Sequence, residues 1–207
     1  KKMAVRLRLL QGCISRAKAD ALVTSSNCSL THNAQSGYWR FAGRDNTNGA
    51  IHRAGGPALG EACQEIPVNE HGIRCPPGSA VWTPATGSLS KVTSYVIHCC
   101  APDGLYGNVP QPELLEQTYA SCLRVARDLG AQSIAIPAIG CGVQGWTPAT
   151  AFRAALGAVA THARPDCASL ERLDFVLYND HVFKIWTRMA EGKLVDRGGY
   201  WELPDEA

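Results

Sequence analysis

Residues 136–145 read IPAIGCGVQG and join a short apolar run, strand-like in its β-branched content, to a helix start marked by Thr147 and Pro148. Gly140, Gly142 and Gly145 fit the pattern G-x-G-x-x-G, which raises the possibility of a dinucleotide fold. The position argues against that. A dinucleotide fingerprint opens its domain and carries an acidic residue about 20 positions on, whereas here the turn comes late, one strand-like run follows it, and the place of the acid falls in the turn-like Arg164-Pro165-Asp166 rather than at a strand end. No Gly-Lys-Ser/Thr follows, so a Walker loop is excluded. Two readings of the turn remain: glycines that let backbone amides converge on an anion, helped by the positive end of the helix from Thr147, or glycines that permit a tight strand-to-helix connection.

Working outward, segments with strand character recur at residues 4–11, 21–25, 79–83, 94–99, 133–136 and 174–178, and helical patterns separate several of them. This alternation predicts a mixed, largely α/β sheet. One helix begins near Pro112, places Leu115, Tyr119, Cys122, Ala126 and Leu129 on one face, and stops at Gly130. Another starts at Thr147 as N-cap, and a third runs from about Asp180 to Gly192 with Val182, Ile185, Trp186 and Met189 on its apolar face. Residues 28–48 and 63–78 read as long loops, a length usually reserved for function.

The 207 residues suit one domain, 45% of them are hydrophobic, and the formal charge is +2 with no Lys/Arg block. Composition therefore gives no electrostatic surface for nucleic acid and no demand for a membrane. The first residues interleave charge with apolar side chains and no run reaches bilayer length, so an intracellular, cytoplasmic or nuclear, monomeric protein is the expectation. Nine cysteines are scattered without a C-x-x-C, which favours small buried side chains over a zinc site or a disulfide framework; no metal and no cofactor are expected.

Four separate stretches carry a resemblance. Residues 19–27 (ADALVTSSN), 48–57 (NGAIHRAGGP), 95–98 (YVIH) and 136–139 (IPAI) resemble the macrodomain family, in the family's order, within a match over roughly residues 4–190. The resemblance implies a three-layer α/β/α domain over residues 1–192 with a central mixed sheet of six or seven strands. It also implies ADP-ribose as ligand, held in a cleft at the strand ends. Residues 193–207 would be a frayed tail or a docked arm, with Trp201 in favour of docking.

Carried over residue by residue, the resemblance places the ligand's diphosphate and distal ribose against Pro137, Ala138, Ile139, Gly140, Cys141, Gly142, Val143 and Gln144. Cys13 and Ile14 fall at the adenine end, where the family's Gly-Asp-Ile becomes Gly12-Cys13-Ile14 and a weakly accepting thiol replaces a carboxylate. Selection of adenine would then be weaker or come from a backbone carbonyl or Asn179. Val-Asn-Ala-Ala-Asn becomes Val23-Thr24-Ser25-Ser26-Asn27, which keeps Asn27 as the residue facing the distal ribose. Thr47-Asn48-Gly49 aligns with Val-Asp-Gly, so Asn48 stands where a carboxylate would help to activate water. An amide orients water without taking its proton, a role left to the substrate's phosphate or to Asp45. The family's ribose-covering aromatic is replaced by Gln144, and Tyr38, Trp39 or Phe41 of the inserted segment are candidate substitutes. Tyr178 would stack on the base beside Asn179. Cys141, near a helix start, is expected to favour its thiolate, while His52 and His98 read as helix-face and sheet residues rather than catalysts. Three activities follow from the resemblance: hydrolysis of ADP-ribosyl esters on acidic side chains of proteins, non-enzymatic reading of ADP-ribose or ADP-ribosylated proteins, and phosphatase action on ADP-ribose 1″-phosphate.

Overall fold

The computed structural model describes residues 5–31, 46–104, 110–162 and 170–204. Six strands form where β-branched and apolar residues cluster: β1 Arg6–Gln11, β2 Ala21–Ser25, β3 Ala80–Pro84, β4 Tyr95–Cys99, β5 Ser133–Ile136 and β6 Arg172–Leu177. The sheet runs β3-β4-β2-β5-β6-β1, then β8 and β7. Strands β4, β2, β5, β6 and β1 are mutually parallel, and β3 closes one edge antiparallel to β4. The expected six or seven strands become eight, because the two-residue strands β7 Val195–Asp196 and β8 Trp201–Glu202 add to the β1 edge through Leu7 opposite Trp201. Segments this short have no readable alternation.

Five helices cover both faces: α1 Thr47–Gly55, α2 Pro57–Glu65, α3 Pro112–Asp128, α4 Pro148–His162 and α5 Asp180–Glu191. Strand alternation divides the apolar side chains accordingly. Ala21, Val23, Ile97, Ile134, Ile136 and Phe175 point into a core shared with α3, α4 and Trp186 of α5. Leu22, Val96, Ala135 and Val176 point the other way, onto Ile51 of α1 and Leu59 of α2. A parallel sheet covered on both faces explains why β2 and β5 read as nearly unbroken apolar runs.

The helix signals act as their chemistry requires. Gly130 takes φ +70° after α3, Thr147 Oγ1 accepts from Thr150 N at 3.1 Å ahead of α4, and Asn179 Oδ1 accepts from His181 N and Val182 N at the start of α5. The expected loop over residues 63–78 is corrected at its beginning, since α2 runs on to Glu65. Residues 47 and 48 belong to α1 rather than to the preceding loop. Tyr38, Trp39, Phe41 and Asp45 lie outside the described residues. Among the described residues no helix is long and apolar enough to cross a membrane.

Candidate ligand site

Every parallel strand points its carboxyl end toward the same pole, where the chain leaves the sheet and its polar backbone groups lose their ladder partners. Two adjoining cavities open there. The larger, about 310 Å³, is lined by Gly12, Cys13 and Ile14 after β1, by Arg53 and Ala50 of α1, and by Tyr178 and Asn179 after β6. The smaller, about 90 Å³, is lined by Ser25 at the end of β2 with Ser26 and Asn27 beyond it, by Asn48, and by Gly140, Val143 and Gln144. Asn46, Thr47, Pro137, Ala138 and Gly142 belong to both walls and make the two a continuous groove.

The glycines of the turn serve different needs. Gly140 and Gly145 have φ of +81° and +73°, in the left-handed region that side chains disfavour. A Cβ on Gly140 would meet Trp146 Cδ1 at 2.6 Å. Trp146 is buried there, donating from Nε1 to Pro102 O at 2.8 Å and from its own N to Gly140 O at 3.0 Å. At Gly142 the space is open, with no atom within 4 Å of a built Cβ. Ile139 N donates to Tyr119 Oη at 2.8 Å, and Cys141, Gly145 and Trp146 donate to carbonyls of the turn itself. Among the described residues the N–H groups of Gly140, Gly142, Val143 and Gln144 have no protein acceptor. All four residues line the smaller cavity, an arrangement suited to an anion.

The helix at this pole is not the one anticipated. Neither Thr147 nor Pro148 lines either of these cavities; the chain turns around buried Trp146 before α4 begins. The first turn of α1 takes that place, capped by Asn46 Oδ1 accepting from Gly49 N at 2.7 Å. Its positive end meets the groove through Asn46, Thr47 and Asn48, which line it.

Of the anticipated residues, Cys13, Ile14, Asn27, Thr47, Asn48, Pro137, Ala138, Gly140, Cys141, Gly142, Val143, Gln144, Tyr178 and Asn179 are brought together. Gly49 and Ile139 are not: Gly49 is buried in α1 with its N–H taken by Asn46, and Ile139 is fully buried against Tyr119. Asn48 is 3% exposed, and its Oδ1 accepts from Thr24 Oγ1 at 3.3 Å and Ser26 Oγ at 3.1 Å. Asn27 turns its amide onto its own loop, giving to Thr31 O and Oγ1 and accepting from Thr31 N and Ser29 Oγ. The Asn179 carbonyl is committed to the α5 cap, so it does not supply the acceptor considered for an adenine amine. Tyr178 is 69% exposed, leaving its ring free to cover a ligand. The expectation of a stabilised thiolate at Cys141 is overturned, because burial pushes this thiol up to about 12. Ser25, Ser26, Asn46 and Arg53 escaped the sequence reading, and the hydroxyls at 25 and 26 were its available signal.

No carboxylate and no imidazole lines either cavity among the described residues. Among the described residues the one group with metal-binding potential, His52, Cys63 and His98, is buried, with His98 in β4 itself. Cys63 Sγ lies 3.7 Å from Nε2 and 3.9 Å from Nδ1 of His98, hence over the ring rather than beside either lone pair, and Nε2 pairs with Thr83 Oγ1 at 2.9 Å. The three donor atoms lie within 4.8 Å of one another, with Nε2 of His98 already committed to Thr83 Oγ1. Burial, then the neighbouring His52, lowers the His98 pKa to about 3, so the ring stays neutral.

A cleft of this kind over a parallel sheet invites comparison with known proteins, and the Macro domain family model matches residues 23–155. The chain belongs to the Macro domain family. This macrodomain is 38% identical over 181 residues to a macro domain-containing protein of Vibrio parahaemolyticus, covering 87% of the chain and 94% of that protein. It is 37% identical over 191 residues to the O-acetyl-ADP-ribose deacetylase of Salmonella gallinarum, covering 90% and 95%. A mutant of the Oceanobacillus iheyensis macrodomain, solved with ADPR, superposes with a TM-score of 0.75 at 25% identity over 93% of this chain and 95% of that one. The Trypanosoma brucei macrodomain in complex with ADP-ribose gives 0.68 at 25% identity, over 88% and 68%.

Proposed function

We propose that this macrodomain binds ADP-ribose in the groove and hydrolyses esters formed on its distal ribose. The observation that carries the reading is the set of four amides at Gly140, Gly142, Val143 and Gln144 that have no protein acceptor among the described residues, in the wall of a cavity that the start of α1 also lines. A diphosphate there is bonded by fixed donors that need no reorganisation. The larger cavity, with exposed Tyr178 at its rim, takes the adenosine, and the smaller one takes the distal sugar.

The ester reading is supported by relatives named for deacetylation of O-acetyl-ADP-ribose. An acetate ester and a glutamyl ester present the same acyl carbon to water, so ADP-ribosylated acidic side chains of proteins form the second substrate class. Asn48, held from behind by Thr24 and Ser26, orients the water; its proton passes to the ligand's own diphosphate, since among the described residues no side-chain base lines the groove. Asn27 shapes the ribose wall by fixing the loop that follows β2. Calorimetry with ADP-ribose, followed by incubation with O-acetyl-ADP-ribose and with a glutamate-ADP-ribosylated protein, tests the reading. Binding together with release of acetate or of the protein label is expected, and absence of binding contradicts it.

A non-enzymatic reader is the second reading, favoured by the same lack of a carboxylate in the groove wall among the described residues. Tight binding with both esters intact after prolonged incubation would select it.

A further inference from the structure

We infer that Cys28 and Cys100 form an oxidative modification site that closes an intrachain disulfide by exchange with a small-molecule disulfide such as glutathione disulfide. Their Sγ atoms are 3.1 Å apart although the residues are 72 positions apart in the chain, and both are free thiols. Contact this close leaves no atom between them, and a covalent bond needs an approach of about 1 Å more.

The backbone holds the pair in place from both sides. Cys28 O accepts from Arg74 N and Cys75 N, each at 3.0 Å, while Cys100 N donates to Ser79 O at 3.2 Å and its carbonyl accepts from Gly78 N at 2.9 Å. Access is asymmetric: Cys28 is partly exposed and Cys100 is 5% exposed. Cys63, Cys75, Cys99 and Cys122 are buried. Cys13 and Cys141 are partly exposed, but among the described residues neither touches a second sulfur. Cys28 with Cys100 therefore joins an accessible thiol to a resolving one.

The exchange balances in two displacements. The Cys28 thiolate attacks one sulfur of glutathione disulfide, forming a mixed disulfide and releasing one glutathione. Cys100 then attacks the Cys28 sulfur, and its proton goes to the departing second glutathione. Two protein thiols lose two electrons and two hydrogens, and one glutathione disulfide becomes two glutathione thiols. Burial and the neighbouring Cys28 thiol raise the Cys100 pKa, which makes the second displacement the slower one and faster at higher pH. Cys28 directly follows Asn27, so the bond ties the ribose-side loop to the end of β4.

The test is incubation of the reduced, folded protein with glutathione disulfide, followed by intact mass and peptide mapping. The expected product is lighter by two hydrogens, with the Cys28 and Cys100 peptides cross-linked, and it melts at a higher temperature until dithiothreitol reverses the change. Cys100→Ser is expected to stop at a single glutathione adduct on Cys28, and Cys28→Ser to gain no cross-link at Cys100. A stable adduct on wild-type Cys28, a disulfide mapping to other cysteines, or nine thiols still titratable would each overturn the inference.

Discussion

Gly140 and Gly142 stand two residues apart and answer to different forces. Gly140 is fixed by a positive φ and by Trp146, so Gly140→Ala is expected to cost about 1–3 kcal/mol in denaturant unfolding. Gly142 has open space before it, so Gly142→Ala should change stability by less than about 0.5 kcal/mol, while Gly142→Glu places a carboxylate where the anion is proposed to bind. The sequence pattern announced the turn but could not divide these roles, because backbone sign and the approach of Trp146 are tertiary facts. Asn48 poses the opposite case, an amide where a carboxylate would act. Asn48→Asp keeps both hydroxyl donors from Thr24 and Ser26 and supplies a base. Single-turnover assays with O-acetyl-ADP-ribose should show acceleration of about 10²-fold, toward the lower end of general-base effects, with ADP-ribose affinity little changed; no acceleration would remove Asn48 from the water's surroundings.

Among the elements, α3, α4 and α5 were legible because each carries its own stop or start: Gly130, Thr147-Pro148, and Asn179 with Gly192. Helix α1 was not. Its sequence TNGAIHRAG places a glycine in the first turn and offers little apolar periodicity, and its cap, Asn46, ends a long polar segment. The anion-facing helix end was consequently sought at α4, where Thr147 and Pro148 signal so clearly. Strand β4 gives a pH prediction through His98, which is fully buried. In the unfolded chain this imidazole gains a proton below its ordinary value of about 6.5, whereas folded it resists until about 3. The unfolded state thus binds more protons between these limits, and stability falls with acidification by up to about 1.4 kcal/mol per pH unit. Urea unfolding across pH 7 to 4 checks this, and His98→Gln should flatten the slope by that amount while giving up the bond to Thr83.

At the scale of the whole molecule, six strands and their alternation with helices were readable because a doubly covered parallel sheet demands apolar runs. The edge strands β7 and β8 were hidden by their two-residue length, with Trp201 the only hint. With their flanking residues they pack Leu194, Trp201 and Leu203 on the core and cover the β1 edge, yet among the described residues none beyond Val182 lines the groove. Removing residues 193–207 should lower the melting temperature by several degrees and leave ADP-ribose affinity unchanged; a loss of affinity would mean that the far edge of the sheet supports the site. What unites the three scales is a sheet whose carboxyl ends deliver the glycine turn and the start of α1 to one groove. Calorimetric titration of wild-type protein and Gly142→Glu with ADP-ribose, with melting curves run beside them, addresses that claim directly. Saturable one-site binding by the wild type, abolished in a variant that melts at the wild-type temperature, is the predicted result. No binding by the wild type, or equal affinity in the variant, would contradict it.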